Sequence, residues 1–281
     1  MEKILLYYKF VPIDDTETVL FWQRALCEKL DLKGRIIISE HGINGTLGGA
    51  LKNLKYYTRD MKAHSLFGNI TWKWSDGGAS AFPKLRVKIK NEIVSFEAAD
   101  ELVVTEDGVS GGGKRLSPKA LHELVGQKGD DIVFYDGRNM FEAQIGRFKN
   151  AIIPNVGHSR EFKTDLEHGE ISKYKDKTIV TYCTGGIRCE VLTAMMKKRG
   201  YTDVYQLQGG IVKYGEEFAD DGLWEGKLYV FDDRMNMGFS ENAKDIANCY
   251  SCGQPTSRQV NSLGVHRKLA VCCENCPTPV A

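Results

Sequence analysis

TIVTYCTGGIRCE, residues 178–190, reads as a strand that runs straight into a tight loop and then into a helix. A sulfur at the C-terminal edge of a parallel strand, as Cys183 would be, faces the backbone N–H groups of the next helix N-terminus. Those donors and the helix dipole stabilise a thiolate. Gly185 and Gly186 let the backbone curl around the sulfur, and Arg188 closes the loop with a positive charge. Thr184, Gly185, Gly186, Ile187 and Cys189 thus complete an anion cradle around Cys183, in which the thiol pKa falls. The plainer alternative is a small buried residue at a strand end; the Gly-Gly pair and the arginine set this cysteine apart. Cys189 is a candidate resolving thiol, with burial in the first helical turn as its alternative.

Outward from this loop, Ile132 to Tyr135 and Val204 to Leu207 read as further strands, separated by helical segments such as Glu190 to Arg199, which ends at Gly200. Ser117-Pro118 opens a helix before them. This alternation predicts a parallel α/β sheet. Asp136 and Arg138 follow the first of these strands and would point from the same edge as Cys183 as supporting residues; the alternative is a structural ion pair or turn that shapes the loop from behind. Upstream, Ile4 to Val11, Thr16 to Leu30, Arg35 to Ser39, Leu51 to Ala63 and Ile70 to Trp74 alternate as strand, helix, strand, helix and strand. A hairpin turn at Asn44-Gly45 precedes a strand at Thr46 and Leu47. The order βαββαβ predicts a ferredoxin-like α+β domain. Gly111-Gly112-Gly113, after an acidic stretch, suits a linker between the two.

The chain has 281 residues, 42% of them hydrophobic, which suffices for two or three folded domains. With 38 Lys+Arg against 37 Asp+Glu, the net charge of +1 offers no global footprint for nucleic acid and argues mildly against such a partner. Any RNA binding must then use local patches. Lys84, Arg86, Lys88 and Lys90 alternate along one strand face, and Lys114 with Arg115 forms a second candidate. Trp72 and Trp74 are candidates for base stacking, with core packing as the more common role. The N-terminus lacks a signal-peptide pattern, and no apolar run is long enough to span a membrane, so a cytoplasmic protein is expected.

In a reducing compartment the eight cysteines are expected to be thiols or metal ligands rather than disulfides. Cys249-x-x-Cys252 and Cys273-x-x-Cys276 have the spacing of a zinc ribbon, and predict a closed, structural Zn²⁺ site, with Cys272 able to replace Cys273. A redox-sensing thiol cluster and a disordered tail are the alternatives. Cys27 stands alone. No flavin, haem or facial-triad iron motif is visible.

Three motifs in order resemble the rhodanese domain over about 117–218: YDGRNMFEAQIGRFKNAIIPN, YCTGGIRC and LQGGI. The sequence departs from that pattern at Arg147-Phe148, where many rhodaneses have His-Ile, and at Tyr214, where Trp is common. The resemblance makes Cys183 to Arg188 the active loop. Its six-residue length suits sulfur chemistry, whereas the related phosphatases use seven residues. With HGINGTL near residue 41 and GLWEGKLYVFDDRMNMGF at 222–239, the whole chain resembles the rhodanese-domain tRNA uridine(34) hydroxylase family, although His41 stands where many members have Glu. That resemblance implies a ferredoxin-like (acylphosphatase-like) domain at 1–94, a linker at 95–116, a rhodanese domain at 117–221 and a C-terminal extension at 222–281. It further implies oxygen-dependent conversion of the anticodon wobble uridine of tRNA to 5-hydroxyuridine, dependent on Cys183. DNA is not an expected partner. A persulfide sulfurtransferase and a non-catalytic adaptor on a rhodanese scaffold are the competing readings; the intact Cys183 and Arg188 count against the second.

Overall fold

The computed structural model describes residues 1–263 and 269–279, in two compact units, 1–111 and 112–281. The first unit begins β1 (Glu2–Phe10), α1 (Thr16–Lys29), β2 (Lys33–Ser39), β3 (Gly42–Ala50), α2 (Leu51–Ala63), β4 (Lys73–Ser75) and β5 (Leu85–Ile89). Its sheet order is β4-β1-β3-β2-β5. The first four strands are antiparallel neighbours, as a ferredoxin-like βαββαβ chain requires, and β5 adds to the edge parallel to β2. Alternation along β1 and β2 sends Leu5, Tyr7, Ile36 and Ile38 into a core with Leu26 of α1 and Leu54 and Tyr57 of α2. Trp72 and Trp74, both half-buried, pack against this core, the more common of the two roles expected of them.

The turn lies elsewhere than the sequence suggests. Asn44 and Gly45 sit inside β3, paired with Tyr8 and Tyr7 of β1, and the chain reverses at Glu40 and His41. Gly45 serves packing: a Cβ there would lie 2.2 Å from the Tyr7 ring. Asn44 Nδ2 donates to the Ile93 carbonyl at 3.0 Å, tying down the segment that follows the sheet. In that segment β6 (Val104–Thr105) and β7 (Gly108–Val109) form a small hairpin.

The second unit starts with β8 (Lys114–Leu116), inside the stretch expected as linker. It pairs in parallel with β12 (Asp203–Leu207), which completes a four-stranded sheet, β8-β12-β11-β9, with β9 (Ile132–Asp136) and β11 (Thr178–Tyr182). Between these strands come α3 (Pro118–Lys128), capped by Ser117 Oγ, α4 (Met140–Ile145), β10 (Gly146–Phe148), α5 (Phe162–His168) and α6 (Ile187–Lys198). Then follow α7 (Gly210–Phe218), β13 (Trp224–Gly226), β14 (Leu228–Tyr229), β15 (Asn236–Met237), β16 (Gln259–Asn261) and β17 (Leu269–Val271). The pairing of β13 with β10 brings Trp224 to Phe148, so the chain after 222 completes the core under the sheet. Among the described residues no helix is long and apolar enough to cross a membrane.

Phe148 is fully buried and meets Phe134, Tyr182, Tyr214 and Trp224 ring to ring. Phe148→Ala should cost about 3–5 kcal/mol, read as a lowered denaturant midpoint; a loss below about 1 kcal/mol would show that this cluster does not carry the core.

Candidate active site and cysteine cluster

Cys183 leaves the end of β11, and α6 begins after Gly186, whose φ of +97° turns the chain back over the sulfur. The Gly186 N–H donates to Cys183 Sγ at 3.1 Å. The start of α7 holds the loop from behind, through Ile211 N–H to the Cys183 carbonyl at 2.9 Å and Val212 N–H to the Thr184 carbonyl at 3.1 Å. That approach needs glycine at 210: φ is +69° and a Cβ would lie 2.4 Å from the Cys183 oxygen. Cys183 is itself fully enclosed. Burial pushes its thiol up, but the Cys189 thiol, the Arg188 charge and the N–H groups of Cys189 and Gly186 outweigh burial and bring it to about 5. Cys189, also fully buried, is pushed well above its usual range by burial and by the Cys183 thiolate. The pair therefore holds one proton, on Cys189, and one negative charge, on Cys183.

Arg188 is fixed by a residue the sequence reading quoted but did not assign. Glu142, fully buried in the first turn of α4, takes Arg188 Nη1 at 2.5 Å on Oε1 and Nη2 at 2.8 Å on Oε2. The same carboxylate accepts the Asn139 N–H at 3.1 Å. Arg188 Nη2 also donates to Thr184 Oγ1 at 3.1 Å, so one guanidinium links the loop to α4. A second unassigned residue is Phe231. Its ring is 53% exposed, lies 5.8 Å from the Arg188 guanidinium carbon and is propped edge-on by Tyr229. An aromatic in the 222–239 run was visible in sequence, but its neighbour was not.

Asp136 and Arg138 take the structural alternative. Both are fully buried, joined by Arg138 Nε to Oδ1 at 2.9 Å and Nη2 to Oδ2 at 2.6 Å, and Nη2 also reaches the Gly146 carbonyl at 2.7 Å. They brace β9 beside β11, where Gly137 N–H meets the Tyr182 carbonyl at 2.8 Å. Of the basic candidates, Lys84, Arg86, Lys88 and Lys90 are exposed along β5. Lys114 and Arg115 have partners within the fold and stay largely exposed: Arg115 forms a two-pronged pair with the buried Glu190, and Lys114 lies 4.0 Å from Asp203 and over the Tyr205 ring.

At the C-terminal end the sulfurs of Cys249, Cys252, Cys273 and Cys276 lie within 4.8 Å of one another, a group able to hold a metal ion. Cys252 and Cys273 are 3.7 Å apart; sulfurs at the corners of a tetrahedron with 2.3 Å metal bonds sit about 3.8 Å apart. The Cys273 N–H donates to Cys249 Sγ at 3.3 Å and, with the Cys252 N–H, pulls that thiol down to about 5. The expected spare, Cys272, is not among these four; its thiol donates to the carbonyls of Cys273, Cys276 and Pro277 at 3.5–3.7 Å.

The chain matches three family models: a UPF0176 acylphosphatase-like domain over residues 2–93, a rhodanese-like domain over 117–217, and a rhodanese C-terminal segment over 225–280. Its sequence is 53% identical to a tRNA uridine(34) hydroxylase of Corynebacterium jeikeium, over 98% of this chain and 89% of the relative. The corresponding protein of Corynebacterium urealyticum is 54% identical over 98% and 93%. That of Rhodococcus erythropolis is 52% identical over 98% and 96%. Among solved structures, a rhodanese-related protein of Thermoplasma volcanium is similar at 20% identity and a TM-score of 0.30, over 37% of this chain and 92% of its own.

The cradle makes a pH prediction. Because the folded pKa of Cys183 lies below its unfolded value of about 8.5, the stability it contributes is complete above that value and disappears as pH falls through about 5. Thiolate absorbance of the wild type minus that of Cys183→Ser should titrate with a midpoint near 5. Arg188→Gln should move the midpoint upward and, by leaving Glu142 buried without its partner, destabilise the fold by about 3–5 kcal/mol. A midpoint unmoved by that change would remove Arg188 from the cradle.

Proposed function

The chain belongs to the tRNA uridine(34) hydroxylase family, and we propose that it converts the wobble uridine of tRNA, in the anticodon, to 5-hydroxyuridine with molecular oxygen as co-substrate. The observation that carries this reading is the Cys183 thiolate, held at about 5 in a six-residue cradle by Cys189, Arg188 and two backbone N–H groups. At neutral pH this sulfur is a ready nucleophile. Adding to C6 of uracil, it moves the C5–C6 electron pair onto C5, which then takes up one oxygen atom. The second oxygen atom leaves as water with two electrons and two protons from an external donor. Loss of the C5 proton and of the thiolate restores the double bond.

Arg188, fixed by Glu142, keeps its charge beside the sulfur through this cycle, and Cys189 holds the neighbouring proton. Because Cys183 is enclosed, the base reaches it by displacing part of the loop's outer wall, and Phe231 offers a flat apolar face next to Arg188. The proposed compartment is the cytoplasm, which holds tRNA and keeps these thiols reduced. A rhodanese-type persulfide transfer is the second reading, favoured by the same N–H cradle, which would stabilise a sulfane sulfur on Cys183 equally well.

Nucleoside mass spectrometry of bulk tRNA decides between them. In cells lacking the gene, 5-hydroxyuridine-derived nucleosides should disappear, and should return with the wild type and not with Cys183→Ser. Full restoration by Cys183→Ser would end the thiolate mechanism. Cys183-dependent transfer of sulfur from thiosulfate to cyanide, with tRNA unchanged, would install the second reading.

For the tail we propose Zn²⁺ held by Cys249, Cys252, Cys273 and Cys276, a closed four-thiolate site that supplies folding energy and no chemistry. Purified protein should carry one zinc per chain. Chelation should deprotect amides near these residues while leaving the Cys183 titration in place; metal-free protein with the tail equally protected would exclude the site.

A further inference from the structure

We propose that the groove between α1 and the free edge of β5 is a binding site for the sugar-phosphate backbone of unpaired RNA. This deepens the tRNA reading and rests on it. The groove encloses about 840 Å³ and is lined by Arg24 of α1, Lys33, and Lys84, Arg86 and Lys88 along the β5 edge. All five are exposed, and none forms an ion pair among the described residues. On a chain with nearly equal numbers of cations and carboxylates, unpaired cations along one groove form a local charge excess.

Two further observations point to a polyanion. Arg35 of β2 stands opposite Arg86 in the parallel register, so two like charges lie side by side next to the groove, where an anion would relieve their repulsion. Arg35 is itself exposed, and partial loss of solvent, then the nearby Arg86 charge, lower its guanidinium below its usual value. In addition β5 ends the sheet, so its outer row of backbone N–H groups has no neighbouring strand and can serve phosphate oxygens. Glu28 and Asp31 are the only carboxylates among the lining residues described, and they follow Arg24 toward the C-terminal end of α1 and its exit.

An aromatic sets the preference for unpaired strands. Phe21 is 63% exposed and lies one turn before Arg24 on the same face of α1. A base turned out of a loop can stack on it while the flanking phosphates meet the cations; a duplex keeps its bases inside. The ligand is thus a single-stranded or loop segment of the RNA substrate.

Equilibrium binding of a fluorescent tRNA transcript to the full chain, measured under nitrogen so that no turnover intervenes, tests the site. Each lost phosphate contact at 0.1 M salt costs about fivefold for a single strand. The triple variant Arg24→Gln/Arg86→Gln/Lys88→Gln should therefore weaken binding roughly a hundredfold and reduce the salt slope by about 2. Arg86→Lys should retain the slope, and Phe21→Ala should weaken binding with the slope unchanged. Should the triple variant fold poorly, Lys84→Gln/Lys88→Gln on the edge strand alone should lower the slope by more than 1. Wild-type affinity and slope in the folded variants would overturn the proposal. Failure of the hydroxylase reading would instead show in the nucleosides, with tRNA binding and its dependence on these cations intact.

Discussion

The chemistry of the second unit depends on one buried ion pair. Glu142 clamps Arg188 with both carboxylate oxygens, and Arg188 in turn reaches Thr184 and lends its charge to Cys183. Burying two charges is costly unless the geometry is good and the remaining valences are met. Here the carboxylate also accepts the backbone N–H of Asn139, the cap of its own helix, and the guanidinium also donates to a loop hydroxyl. The arrangement sacrifices some solvation to place a permanent positive charge beside an enclosed sulfur. Burial by itself keeps a thiol protonated, as it does Cys27 of the first unit, pushed up to about 12; at Cys183 the Cys189 thiol, the Arg188 charge and the two N–H groups together reverse that effect.

The two units divide the work by kind of force. In the second, short-range interactions inside a closed sheet edge tune a single atom. In the first, the sheet buries one face against two helices, and its added edge strand carries cations that form no ion pair among the described residues. Nearly zero net charge is compatible with both, because equal totals of acids and bases leave room for a local excess of cations in one groove. Attraction of a polyanion depends on that local excess and not on the total.

Features encoded by neighbours in sequence could be read without a structure. The strand, loop and helix around Cys183 are contiguous, the paired C-x-x-C spacing brings four sulfurs together, and alternation along β5 puts its lysines and arginine outward. What escaped depended on distant contacts. Asn44-Gly45 has the composition of a turn, yet the Tyr7 ring needs the missing Cβ of Gly45, and the reversal falls at Glu40-His41. Lys114-Arg115 follows three glycines and looks like a linker, but Glu190 and Asp203, far along the chain, draw it into the sheet edge. The partnership of Glu142 with Arg188, and the place of Phe231 beside it, exist only once α4 and the chain after β14 have closed over the loop.

The clamp between Glu142 and Arg188 also constrains how such a chain can change over generations. Replacing either partner alone strands a buried charge, so a lineage cannot cross to a different pair by single, individually tolerated steps. Drift at the rim of the loop is cheap by comparison. The loop and α4 are therefore expected to be inherited as one block, whereas the exposed ring of Phe231 and the exposed cations of the groove can change without stranding a buried charge, leaving the fold standing.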